Sequence, residues 1–318
     1  MNNSTEVSLP DEGPDSLPGS RHQEWGNLMG ANALWKIVLI FVAWGIFIPL
    51  VPIQVRHISP LVPLSAYIAA TVAFMFLQLC LLWSIVAYDR ESSRGWQIAV
   101  AGIIVWIGLM WATTLLGNGV LHNVSKTILL LRIANPLTNL ACSIGLGFAG
   151  ARLSRFVKEA KILLPITVVA GVIDVIGAMS NIGLTKHIIK TLPAVVPKFS
   201  VNPPTFGHLP PIATVGPGDI LFLCFFFSIV HRFSMNRRAT FWVTDVLLTL
   251  TLLLVSLGPP DLTIAALLPM GIGMVIANFR YFKYTREETF AMIYAGIIVL
   301  VGAVIFFLMT NRYIFNHK

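Results

Sequence analysis

Two aspartates stand where a carboxylate is costly to keep. Asp174 lies in Gly171-Val-Ile-Asp-Val-Ile-Gly177 and Asp219 in Val215-Gly-Pro-Gly-Asp-Ile220, each within a long apolar stretch. A carboxylate deep in such a segment costs about 3 kcal/mol on insertion scales, so it marks a functional candidate. Brought close in a medium of low dielectric, two carboxyls cannot both ionise, and they hold one proton between them near neutral pH. Such a pair can hydrolyse a peptide bond: the ionised member takes a proton from water while the protonated member polarises the scissile carbonyl. Gly216 and Gly218, just ahead of Asp219, would let a substrate backbone approach closely. Intramembrane carboxylates can also line the path of an ion-coupled carrier. Residue types leave both readings open.

The elements that must position these residues follow from composition. Of 318 residues, 56% are hydrophobic and only 11% charged, with a mean hydropathy of +0.79. Soluble domains carry about 25% charged residues, so an ordinary soluble enzyme, a disordered regulator and a nucleic-acid binder are excluded as expectations. The net charge of +8 comes from short basic clusters between apolar runs, a pattern that reports membrane orientation rather than a phosphate-binding face. Cys80, Cys142 and Cys224 all fall inside apolar runs, so no disulfide framework is expected. The chain reads as an all-α, polytopic membrane protein.

A bilayer core needs roughly 20 apolar residues per helix, because hydrocarbon satisfies no backbone hydrogen bond. Nine stretches are predicted to span: 31–53, 61–87, 95–117, 127–150, 162–184, 209–233, 239–256, 262–279 and 288–310. Residues 1–30 carry Glu6, Asp11, Glu12 and Asp15 among Ser, Pro and Gly and read as a disordered polar tail on the cytoplasmic side. No charged n-region with a short apolar segment and cleavage site opens the chain, so no cleaved signal peptide is expected. The remainder divides into a four-helix membrane region over 31–150, a region carrying both aspartates over 162–280 with a connecting loop at 185–208, and a C-terminal helix at 288–310.

Lys and Arg favour the N-terminal side of the membrane by about two to one. This places the N-terminus in the cytoplasm, with the C-terminus and the 185–208 loop outside the plasma (inner) membrane. Asp174 then lies about 15 Å from the outer end of its span, counted at 1.5 Å per residue, and Asp219 at a similar depth on the next helix. Consecutive antiparallel helices could bring them face to face.

Other polar residues have simpler readings. Asp245, near the cytoplasmic end of the seventh span, is expected to pair with Arg237 and Arg238; a carrier would use it in a proton relay. Arg132, Asn135 and Asn139 share one helical face and fit interhelical hydrogen bonding or a cavity wall. His231 reads as an interfacial residue. His187 and His208 have no partners at metal-ligand spacing, and neither metal nor cofactor is expected. Gly145, Gly147, Gly150, Gly271 and Gly273 fit close helix packing.

The stretch Gly216-Pro-Gly-Asp-Ile-Leu-Phe-Leu-Cys-Phe-Phe-Phe-Ser-Ile-Val-His-Arg-Phe233 resembles the Gly-x-Gly-Asp helix of the presenilin and signal peptide peptidase family of intramembrane aspartyl proteases. Ile173-Asp174 occupies the place of that family's Tyr-Asp pair. Thr185-Lys186-His187 is similar to a Thr-Lys-His following the first aspartate in archaeal members, and Ala265-Ala266-Leu267 stands in for its Pro-Ala-Leu turn. Ile173 and Ala265 thus replace a Tyr and a Pro, and four spans precede the first aspartate where the family has five. The resemblance covers about residues 162–280. It implies a presenilin-like helical bundle of a bacterial or archaeal membrane, with Asp174 and Asp219 as catalytic dyad and Gly216, Gly218, Ala265, Ala266 and Leu267 shaping the cleft. It also implies transmembrane helices of other membrane proteins, or signal peptides, as substrates. The orientation is similar to that of signal peptide peptidase, whose relatives prefer type II segments. An ion-coupled transporter and a catalytically inactive member of the protease fold remain the alternatives.

Overall fold

The structure, a computed structural model, describes residues 33–48, 61–117, 124–179, 200–203, 214–257, 265–282 and 284–315. These residues form nine α-helices: α1 (Leu34–Phe47), α2 (Leu61–Glu91), α3 (Gly95–Gly117), α4 (Val124–Leu153), α5 (Leu163–Met179), α6 (Pro217–Arg232), α7 (Arg237–Leu257), α8 (Leu267–Asn278) and α9 (Arg286–Phe315). Short 3-10 turns follow α4 at Ser154–Phe156, precede α5 at Ala160–Ile162 and follow α8 at Phe279–Tyr281. Among the described residues, β pairing is confined to one antiparallel bridge between Val201 and Val215. The chain is all-α.

Each helix overlaps one predicted span, and α3 coincides with its stretch. Among the described residues, three helices are long and apolar enough to cross a membrane: Ser65–Glu91 within α2, Gly95–Leu115 within α3 and Arg237–Val255 within α7. At 16 and 12 residues, α6 and α8 fall short of the roughly 20 that a bilayer core asks of a single helix. Helix α6 starts at Pro217 rather than Leu209, because Gly216 is extended (φ −68°, ψ 153°) and Pro217 takes the first helical position, where its missing N–H costs nothing. Asp219 therefore stands in the first turn of its helix, not ten residues along it.

Helix α4 lies at the centre, packed on α1, α2, α3 and α6. Glycines set these crossings. A Cβ on Gly102 of α3 would lie 2.7 Å from the Gly145 Cα of α4, and one on Gly150 would lie 2.1 Å from the Leu221 carbonyl oxygen of α6. The helices thus touch backbone to backbone, as small residues allow. Gly147 faces the side chains of Ile85 and Cys224, while Gly271 and Gly273 of α8 meet Thr167 of α5 and Thr244 of α7. One apolar cluster joins α1 through α8, with Phe41, Phe74, Ile85, Phe226, Phe227 and Met274 among its fully buried members. The outer faces of α1, α3, α7 and α9 expose Trp35, Leu39, Trp111, Leu250, Tyr294 and Ile298, an apolar belt far larger than a soluble monomer shows.

Helix α2 runs past the predicted end at Ala87 to Glu91, which carries Asp89 into the packed structure. Arg152 of α4 donates from Nε to Asp89 Oδ1 at 2.6 Å, both side chains only 4% exposed, and its Nη2 reaches the Ser92 carbonyl at 2.7 Å. Arg155 adds a longer contact at 3.3 Å.

Gly150→Ala should destabilise the fold by about 1–3 kcal/mol through overpacking against the α6 backbone, seen as a lower thermal midpoint in detergent. Gly108→Ala, whose Cβ would meet nothing within 4 Å, should stay within about 0.5 kcal/mol of wild type. Asp89→Asn strands a buried guanidinium and should cost about 3–5 kcal/mol by the same measurement.

Candidate functional site

Asp174 sits on α5, about three turns past its start, half-buried, and its Oδ2 accepts the Leu267 backbone N–H at 2.8 Å. Leu267 opens α8, so this carboxylate takes up one of the N–H groups that a helix start leaves without an internal partner. It also meets the positive end of the α8 dipole. The contact is fixed by packing on either side of it. Leu268 lies against Gly171, one turn ahead of Asp174, with Cδ1 3.6 Å from where a Cβ would stand, and Ala265 and Leu267 are buried. Ala266, at the N-cap, is half-buried.

Asp219 satisfies a second helix start, its own. Its Oδ2 accepts the Gly216 N–H at 3.0 Å, the return half of a capping box. Asp174 lies within electrostatic range of Asp219. The convergence is indirect: α5 packs chiefly on α8 and α9, whereas α6 packs on α4 and α2, and α8 touches both α5 and α6. The consecutive helices therefore meet through α8, instead of lying face to face along their length.

Each carboxylate spends one oxygen on a backbone N–H, and the other has no hydrogen-bond partner among the described residues. Space remains on the open side. Gly218 is exposed, and a Cβ there would meet nothing within 4 Å, whereas one on Gly216 would press on the Asp219 carboxylate at 3.1 Å. Ile173 is 63% exposed, on the outer face of α5. With one shared proton, the free oxygens could activate a water and polarise a carbonyl.

The segment leading into α6 is held from α4. Val201 and Val215 exchange N–H···O bonds of 2.9 Å each. Asn139 clamps the neighbouring residue, donating from Nδ2 to the Asn202 carbonyl at 2.8 Å and accepting the Asn202 N–H at 3.4 Å. Of the polar stripe on α4, Asn139 is thus buried and bonded, though to a loop backbone and not to a helix, while Asn135 is exposed. The Arg132 side chain, Thr185, Lys186, His187, His208 and most of the 185–208 loop lie outside the described residues.

One expectation fails. Asp245 forms no ion pair among the described residues; it faces Cys80 of α2 electrostatically, and Arg237 donates to the His231 carbonyl at 3.2 Å. His231, at the end of α6, is buried within the protein, 8% exposed, with its ring 4.4 Å from that of Trp83. The residue that sequence reasoning missed is Asp89. Its signal was the Asp89-Arg90 pair directly after an apolar run, which reads equally well as the start of a solvated loop.

No known protein family, curated protein or solved structure matches this chain.

Asn139→Leu removes both bonds to Asn202 and should loosen the bridge ahead of Asp219. The amides of Val201 and Val215 should then exchange with deuterium about tenfold faster, with the rest of α4 and α6 unchanged.

Proposed function

We propose that this chain is an intramembrane aspartyl protease in which Asp174 and Asp219 share one proton and activate a water against a peptide bond. The observation that carries the reading is a pair of carboxylates on separate helices within electrostatic range of each other, each bonded to one backbone N–H and with its second oxygen unbonded among the described residues. The ionised carboxyl accepts a proton from water, and the resulting hydroxide adds to the scissile carbonyl as the other carboxyl gives its proton to the carbonyl oxygen. Collapse of the tetrahedral diol, with a proton passed to the amide nitrogen, releases the two peptide ends.

A presenilin-like helical membrane bundle suits this chemistry. Non-helical backbone at membrane depth is tolerated where it is buried in protein or lines a water-filled cavity, and the extended residues before Pro217 fit the second case. Gly216 and Gly218 leave room for an unwound substrate strand, and Ala265–Leu267 hold the far side of the cleft. With the N-terminus in the cytoplasm of a plasma membrane, type II transmembrane segments or signal peptides are the substrate class.

The competing role for both aspartates is helix capping alone. Asparagine caps as well as aspartate but cannot share a proton, so Asp174→Asn and Asp219→Asn separate the two. In liposomes with a helical transmembrane reporter, each variant should keep the wild-type melting midpoint and lose at least about 10³-fold in cleavage rate, and wild type should show a bell-shaped pH–rate profile. Wild-type turnover in either variant overturns the assignment. Proton-driven solute uptake abolished by Asp174→Asn, without cleavage, would make the same residues those of a carrier.

A further inference from the structure

At the other end of α6, about 18 Å from Asp219 at 1.5 Å per residue, the ends of α2, α4 and α6 line an open-sided cavity of about 400 Å³. Arg90, Arg155, Arg232, His231, Ser154 and Ser228 line it. The acid at its wall, Asp89, is already engaged on both oxygens, by Arg152 at 2.6 Å and by Arg155 at 3.3 Å, so the remaining guanidinium charge is not locally neutralised. Arg232 is pinned: its Nη1 lies within 2.9–3.2 Å of the carbonyls of Ser154, Arg155 and Val157, and none of these uses Nε or Nη2. Arg90 forms no ion pair among the described residues, and together with Arg237 it acts electrostatically on His231. His231 Nε2 is buried with no hydrogen-bond partner among the described residues. The Ser154 and Ser228 hydroxyls sit 2.7 Å apart, and a hydroxyl can donate outward as well as accept.

Three exposed guanidinium groups gathered on one open-sided cavity form a concentrated positive surface that an anion would complement. Guanidinium groups match phosphate oxygens in geometry and charge. The cavity opens at the end of the bundle that the Lys and Arg distribution assigns to the cytoplasm, the level of anionic headgroups, and basic pockets between helices on that side suit phosphorylated lipids. We propose that this cavity is a binding site for a phosphate group, carried by an anionic lipid headgroup or by a free phosphate compound. It is separate from the aspartate pair and does not rest on the protease reading.

The full chain, purified in a zwitterionic detergent, is titrated at matched ionic strength with inorganic phosphate and, in a second arm, with dioctanoyl phosphatidic acid. Thermal midpoint and tryptophan fluorescence are followed, since Trp83 borders His231. A saturable rise of roughly 4 °C at hundredfold excess over Kd is expected, with Arg90→Gln weakening the apparent affinity at least tenfold while leaving the ligand-free midpoint unchanged. A response to phosphate itself assigns the site to soluble phosphate compounds; a response to the lipid alone assigns it to a headgroup. Absence of a saturable response in both arms, or an undiminished response in Arg90→Gln, overturns the proposal and leaves the arginines as interfacial anchors.

Discussion

Helix α4 can approach its neighbours only as closely as its glycines permit, and everything else in the bundle is arranged around that contact. At Gly150 the α6 backbone comes so near that any side chain would collide with the Leu221 carbonyl, and at Gly145 the same is true of α3. Dispersion between closely packed backbones is the main attraction open to helices where hydrocarbon offers no hydrophobic driving force. Once α4 and α6 are seated in this way, polar pairs along α4 fall into register: Gln78 with Ser143 towards α2 at 2.8 Å, Asn139 with the Asn202 backbone, and Arg152 with Asp89. Each is costly unpaired, so together they penalise any sliding of α4 against α2 and of α6 against α4.

The candidate site inherits its geometry from that frame. Asp219 stands at the start of α6 because Gly216 and Pro217 stop the helix there, and the incoming strand is tied to Val201 and through Asn202 to α4. Asp174 is positioned from the other direction, by α8, whose glycines fit it against Thr167 and Thr244 and whose first N–H meets the carboxylate. Each aspartate completes a helix terminus, which offsets part of its burial without consuming its second oxygen. Structural capping and acid–base chemistry are thus compatible in one carboxylate. What separates them is the proton, which a cap does not need.

The all-helical class, the nine segments and both aspartates were legible from composition and hydropathy. Charge is so scarce, at 11% of the chain, that a carboxylate in an apolar run is conspicuous. Less legible were the features that depend on a partner far along the chain. Asp89 read as the edge of a loop, and only Arg152, brought in by α4, makes it the buried end of α2. His231, placed at the end of its span by sequence, gives no sign there of its cover, which Trp83 of α2 supplies. Asp245 was assigned to the nearest arginines by proximity in sequence, while Arg237 turns to a backbone carbonyl.

The sequence alone therefore determined which segments are helical and which residues carry unusual chemistry, since hydropathy and the rarity of charge are properties of each stretch by itself. The start of α6 at Pro217 was also implicit in Gly-Pro-Gly, although an apolar count ran straight through it to Leu209. Only the tertiary structure decided which groups meet. Asp174 and Asp219 are brought within electrostatic range through α8 rather than by direct pairing of α5 with α6, and the arginines of three helix ends line one cavity. The physical reason is that crossing points are set by steric fit between small residues on different helices, and hydropathy along one helix carries no record of the neighbour it fits.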